Sequence, residues 1–200
     1  MNRIEEIVEE IKSLEKELLR EIQKKEEEFY YRIKGKKIIF EEEAKKYQKK
    51  FFVKVSKYCK NLPLLNILTI PVIWACLIPA VFMDATVTLY QIICFRIYKI
   101  PTVKRSEYVI IDRYALEYLN IIEKINCIYC GYFNGLITYI QEIAARTEQY
   151  WCPIKHARKV SSMHSRYHKF LEYGDCTDYQ KRLEKTRNDF ADIEENQQVF

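Results

Sequence analysis

The stretch LPLLNILTIPVIWACLIPAVFMDATVTLYQIICF, residues 62–95, carries a single charged side chain, Asp84. Such a run cannot be a solvated surface. About 20 consecutive apolar residues already cross a bilayer as a helix. Leu64 to Met83 is long enough for one span, whereas Ala85 to Tyr98 is short for a second. Pro63 stands at the entry, and Pro71 and Pro79 lie inside, where each removes a backbone donor and favours a kink. The alternative is a buried core helix, but core helices rarely exceed ~14 uninterrupted apolar residues. The run begins some sixty residues in, behind a charged segment, which excludes a cleaved signal peptide.

Both flanks of the run are basic. Residues 1–61 hold 17 Lys/Arg against 13 Asp/Glu. Lys45, Lys46, Lys49, Lys50, Lys54, Lys57 and Lys60 crowd the segment before it, interleaved with Tyr47, Phe51, Phe52, Val53 and Tyr58. A polybasic stretch there gains about 1 kcal/mol per Lys near an anionic leaflet. Arg96, Lys99, Lys104 and Arg105 follow on the other side. The positive-inside tendency puts both flanks, and so both termini, in the cytoplasm. A membrane-inserted helical hairpin or re-entrant loop bent near Pro79–Asp84 satisfies this, and a single span followed by an interfacial helix is the other arrangement. Nucleic acid is not expected as a partner, because no RNP or helix-turn-helix pattern accompanies the lysines.

The rest of the chain reads as all-α. Its 4 Gly and 5 Pro in 200 residues cannot supply the tight turns of a sandwich, barrel or propeller, nor a Gly-rich nucleotide loop. Ile4, Ile7, Ile11, Leu14, Leu18 and Ile22 form an apolar seam at helical spacing within residues 1–30. The seam is coiled-coil-like and would pair between chains, or else pack on its own chain. Gly35 marks a break, and a second helix is expected over roughly 40–60. Residues 106–151 suggest two helices, with Gly131 and Gly135 bracketing the loop between them. Two polar helices are expected over 157–173 and 177–195. The organisation expected is therefore a charged helical arm (1–61), a membrane-inserted apolar segment (62–98), a cytoplasmic helical module (99–160) and a polar helical tail (161–200).

One constellation could carry chemistry. Cys127-Ile-Tyr-Cys130-Gly-Tyr and Trp151-Cys152-Pro-Ile-Lys-His156 together give C-x2-C, twenty-one residues, then C-x3-H. Three thiolates and an imidazole suit tetrahedral zinc, or mononuclear iron as the alternative. The site needs the chain to loop through 131–135 and return along the next helix. If 131–135 is instead a turn between helices, Cys152 is carried some ~20 Å away and no site forms. Seven cysteines, an odd number, argue for reduced thiols or metal ligands over a disulfide framework.

Cys-Ile-Tyr-Cys-Gly-Tyr resembles the first knuckle of rubredoxins over six residues, with His156 standing in the place of a fourth Cys. Residues 112–158, with the segments EKINCIYCGYFNGL and ARTEQYWCPIKHAR, resemble a group of bacterial membrane proteins of no assigned activity. That resemblance implies a bacterial inner-membrane location and no reaction. Other candidates are weaker. Glu117, Glu123, Glu142 and Glu148 lack the Glu-x-x-His pairs of a di-iron bundle and read as surface or helix-pairing carboxylates. His164 and His168 could share a metal on one helix face but have no third ligand. Cys152 and His156 could pair as nucleophile and base, but Pro153 separates them and no third group orients the base.

No motif names a reaction. The expected function is a membrane-anchored interaction or scaffold protein with a structural metal, partnered by lipid and by a second copy or another helical protein. The alternative is a membrane redox enzyme or electron carrier using thiolate-ligated iron.

Overall fold

A computed structural model of the chain describes residues 3–29, 31–34, 37–60 and 63–193. Among these residues it is mostly helical, with one short hairpin and irregular connections, in line with the all-α expectation. The chain divides into two compact units, residues 1–62 with 111–128, and residues 63–110 with 129–200.

In the first unit, α1 (Arg3–Glu28) is held along its surface by three-apart pairs such as Lys12–Glu9 at 2.9 Å. Ile7, Ile11, Leu14, Leu18 and Ile22 remain 46–61% exposed. The seam is therefore not packed on its own chain among the described residues. Strands β1 (Tyr31–Lys34) and β2 (Lys37–Phe40) pair antiparallel from Tyr31↔Phe40 to Lys34↔Lys37. This hairpin was not expected. Ile33, Ile38 and Ile39 are β-branched, and the Tyr31 and Phe40 rings meet at 5.6 Å. The break expected at Gly35 lies outside the described residues.

The single helix expected over 40–60 is two. Helix α2 (Glu42–Lys49) and α3 (Val55–Lys60) are separated at Phe51–Lys54, where Phe-Phe-Val are weak helix formers. The unit also contains the start of α6 (Ile121–Trp151). Asn120 begins it with a capping box. Its Oδ1 accepts from the Ile122 and Glu123 amides at 3.0 and 3.1 Å, and Glu123 Oε2 accepts from the Asn120 amide at 2.9 Å.

The second unit opens with α4, a helix running from Leu64 to Tyr98. The hairpin expected near Pro79–Asp84 does not form. Its first irregularity is a tight turn at Cys76, whose amide bonds the Ile73 carbonyl at 3.2 Å before the helix resumes at Leu77. Pro79 therefore falls in a first turn, where its missing amide costs nothing. Gln91–Phe95 is a π-turn, and Gln91 and Phe95 both point inward from it. Helices α5 (Arg105–Tyr108) and α7 (Tyr179–Arg187) are short, and residues 157–173 are irregular where a helix was expected.

Between Tyr98 and Arg113 the chain is irregular apart from the single turn of α5, so the helix expected from residue 106 does not form before Ile121. In the second unit the chain runs back along α6. A Cβ at Gly131 would stand 3.0 Å from the Ile110 carbonyl oxygen. One at Gly135 would stand 2.5 Å from the Tyr108 carbonyl oxygen and 2.8 Å from Val109 Cα. The expected loop at 131–135 is thus a correction: these glycines lie inside α6, four apart on one face. They stay helical because backbone passes over them where a side chain would not fit. The core of this unit gathers Phe95, Ile100, Val103, Leu136, Tyr139, Ile143, Phe190 and Ile193.

Candidate functional site

The four expected metal ligands are not brought together. Cys127 and Cys130 lie in the first third of α6, and Cys152 follows its last residue. Twenty-one residues of continuous helix separate Cys130 from Cys152, so the two positions stand about 33 Å apart at 1.5 Å per step. Metal–thiolate bonds are about 2.3 Å long, so these residues cannot ligate one ion, zinc or iron, within one chain. His156 lies in the irregular segment beyond the helix, its amide donating to the Tyr167 hydroxyl at 2.9 Å. Among the described residues, no group of three His, Cys, Asp or Glu side chains is arranged to hold a metal.

The remaining candidates have structural partners. Glu142 accepts from Arg146 at 2.8 Å and from Ser165 at 2.6 Å. Glu123 closes the α6 cap, and Glu117 lies 3.9 Å from Lys49. His164 and His168 do not share a helix: His168 sits in the single 3-10 turn Tyr167–Lys169, and His164 lies before it. His164 Nδ1 accepts from the Arg166 amide at 3.2 Å, and its Nε2 lies 3.1 Å from Glu148 but off the line of a hydrogen bond. Burial holds His168 below the usual imidazole range, helped by the nearby Lys169 and Arg166 charges.

Of the seven lysines, Lys46, Lys49, Lys50, Lys54, Lys57 and Lys60 are exposed. Lys45 is partly covered and pairs with Glu42 at 2.7 Å. The first unit also holds an open groove of 1210 Å³ lined by Phe29, Tyr31, Phe40, Tyr47, Phe51 and Tyr118 among others.

The polar cluster that is assembled lies where α4 meets the returning chain. Asp84, the one carboxylate of the apolar run, accepts from Arg105 Nε at 3.1 Å and Nη2 at 2.7 Å. This fork-to-carboxylate geometry is the strong form of the pair. Tyr132 donates to Asp84 Oδ2 at 3.1 Å, and the Arg105 guanidinium lies 5.8 Å from the Tyr132 ring centre. Two turns on, Gln91 pairs with the Val103 backbone, accepting from its amide at 3.0 Å and donating to its carbonyl at 3.3 Å. Gln91 also donates to the Tyr139 hydroxyl. Beside Gln91, the Tyr90 and Thr147 hydroxyls bond at 3.1 Å. The sequence carries a signal for this site, since the one charged residue in a largely apolar run of thirty-four needs a partner. Arg105, Tyr132 and Gln91 could not be assigned to it from spacing alone.

A second buried network fixes the C-terminal segment. Gln149, 0% exposed, donates to the Thr186 and Asp189 carbonyls at 2.9 and 2.7 Å and accepts from Arg166 at 2.6 Å. Arg166 and Lys169 both bond Asp192. Burial pushes the Asp192 carboxyl up, but these two cations outweigh it and bring its pKa down to about 2. Arg146 donates to the Pro101 and Thr102 carbonyls at 2.8 and 3.2 Å. These groups satisfy one another.

No family model, curated protein or solved structure matches the chain.

Proposed function

We propose that the chain is a membrane-anchored interaction or scaffold protein, with α4 as its anchor and α1 as its assembly element. One observation carries this reading. The most apolar window of α4 is 6% buried, and Leu64, Leu65, Val72, Ile78 and Phe82 are 69–76% exposed. A core helix would be covered by its own chain, and a soluble surface would not be apolar on every side. The lysines from Lys45 to Lys60 would add attraction to an anionic leaflet. Because α4 does not reverse, the two-ended cytoplasmic topology expected of a hairpin does not carry over to it.

Fractionation tests the anchor. The protein should pellet with membranes and resist carbonate and high salt, and recovery in the soluble fraction without detergent would overturn the reading. Replacing Lys45, Lys46, Lys49 and Lys50 by Glu should weaken leaflet association without releasing the protein, since apolar burial dominates. The α1 seam supports self-association or pairing with another helix. Leu14→Lys with Leu18→Lys should then reduce the mass of the detergent-solubilised particle by light scattering.

A further inference from the structure

We infer that the bilayer's hydrocarbon takes up only Leu64–Met83, and that the Asp84–Arg105–Tyr132 cluster marks the depth at which α4 leaves it. This inference rests on the anchoring role proposed for α4 and adds where the anchor ends. Thirty-five residues of helix extend about 52 Å at 1.5 Å per residue, whereas the hydrocarbon core is about 30 Å thick and takes about 20 residues. More than a third of α4 must therefore lie outside it.

The returning chain indicates which part. Arg105 is bonded to Asp84 and Val103 to Gln91, so Lys104, Arg105 and Glu107 flank the helix at the level of residues 84–91. The Lys104 and Glu107 side chains are 52% and 57% exposed, and Arg105 is 43% exposed. Three exposed charges require water or headgroups at that level. Counting back twenty residues from Asp84 reaches Leu64, directly behind Pro63 and, in sequence, Lys54, Lys57 and Lys60. Within this stretch the first segment, Leu64–Ala75, buries no residue, and Ala80 is the only buried residue before Gln91.

Two further features agree with this boundary. At the irregular turn, the Ile73 carbonyl accepts the Tyr129 hydroxyl at 2.8 Å, which matters where no water can serve it. The α6 stretch that begins at Tyr129, residues 129–141, carries no charge. Tyr132 on the cluster is an aromatic of the kind that sits at the membrane–water interface. Leu89, Ile92, Ile93 and Ile97 then form an apolar strip at headgroup level and do not enter hydrocarbon.

Depth labelling tests this. Single nitroxide labels at Leu68, Val72, Leu89, Ile93 and Ile97, in a chain whose free cysteines are replaced by Ser, are measured in vesicles of zwitterionic and anionic phospholipid. Labels at 68 and 72 should collide with oxygen and be shielded from a water-soluble nickel chelate. Labels at 89, 93 and 97 should show several-fold higher nickel collision. Equal shielding at 72 and at 89, 93 and 97 would overturn the boundary.

The unaltered chain gives a separate control, because it has two tryptophans. Brominated lipid should quench Trp74 and leave Trp151 emission, which Trp74→Phe isolates. Absence of Trp74 quenching would instead sink the anchoring role itself, so the two failures are distinguishable.

Discussion

Between Leu64 and Tyr98 the charged residues are Asp84 and Arg96, and the most apolar window of that helix is 6% buried. Between Ile121 and Trp151 the chain carries Glu123, Lys124, Glu142, Arg146 and Glu148, yet it buries Gly135, Leu136, Tyr139, Ile143, Ala145, Arg146 and Gln149. Apolarity and burial run in opposite directions in these two helices. The more polar one forms the core because its inward face is periodic and each polar group on it has a partner: Gln149 with two carbonyls and Arg166, Arg146 with Glu142 and two carbonyls. Over its first twenty residues the more apolar helix has little such complement: Tyr129 meets it at Ile73 and Trp74, and Ala80 is its one buried residue. Most of its packing comes later, through Asp84, Gln91 and the π-turn.

Tyr139→Ala should break this pattern most severely. The ring is 0% exposed, and its hydroxyl accepts from Gln91. Truncating a buried aromatic costs about 3–5 kcal/mol, read as a lowered denaturation midpoint in detergent. Tyr139→Phe separates the two contributions. It should cost about 1 kcal/mol, because the packing survives and one Gln91 bond is lost.

Gly135→Ala gives the next effect, and its sign is informative. Helix propensity alone makes the change favourable by about 1 kcal/mol. The new Cβ would meet the Tyr108 carbonyl oxygen at 2.5 Å and Val109 Cα at 2.8 Å, backbone atoms that cannot swing aside. Overpacking of about 1–3 kcal/mol should outweigh the gain and leave a net loss. A stabilised Gly135→Ala protein would mean that the returning chain does not lie on this face.

These two glycines also show how far the sequence could be read. The all-α class and the apolar run were legible because they depend on composition and charge counts, which tertiary context hardly changes. Gly131 and Gly135 were read as loop residues because local propensity disfavours Gly in helices. Their actual use, a close passage of backbone, depends on residues some twenty to thirty positions away. Asn120 and Glu123 form a capping box, a feature that their spacing in the sequence carries on its own. The Cys127, Cys130, Cys152 and His156 set had knuckle-like spacing, but ligand spacing says nothing about whether the intervening chain bends, and here it is straight helix. Asp84 asked for a partner from the start, yet nothing in the sequence singled out Arg105 over Arg96 or Lys99.

A third prediction concerns pH and the network around Gln149. The Asp192 pKa is lowered from 3.8 to about 2. A carboxyl depressed on folding contributes stability above its unfolded pKa and loses it as pH falls through the folded one. Stability should therefore decline between about pH 4 and pH 2. The full shift corresponds to roughly 2 kcal/mol, but the Asp192 side chain is 42% exposed, and screening reduces this to about 1 kcal/mol. Asp192→Asn should remove that amount at neutral pH and flatten the decline relative to the unaltered chain. Parallel pH profiles for the two proteins would show that Arg166 and Lys169 do not hold Asp192 in solution.

The smallest expected effect tests the other side of the comparison. Leu65 is 74% exposed on a helix segment that buries no residue. In detergent, Leu65→Ala should change the unfolding free energy by less than about 0.5 kcal/mol, as surface substitutions usually do. A Leu in a protein core would cost about 2–5 kcal/mol, so the two cases are well separated. The micelle covers this side chain in both the folded and the unfolded chain, and the lost methyl groups cancel. A loss above about 2 kcal/mol would mean that protein, not lipid or detergent, covers the first turns of α4. The contrast between the two long helices would then reflect a missing protein partner, and the anchoring role would pass to that interface.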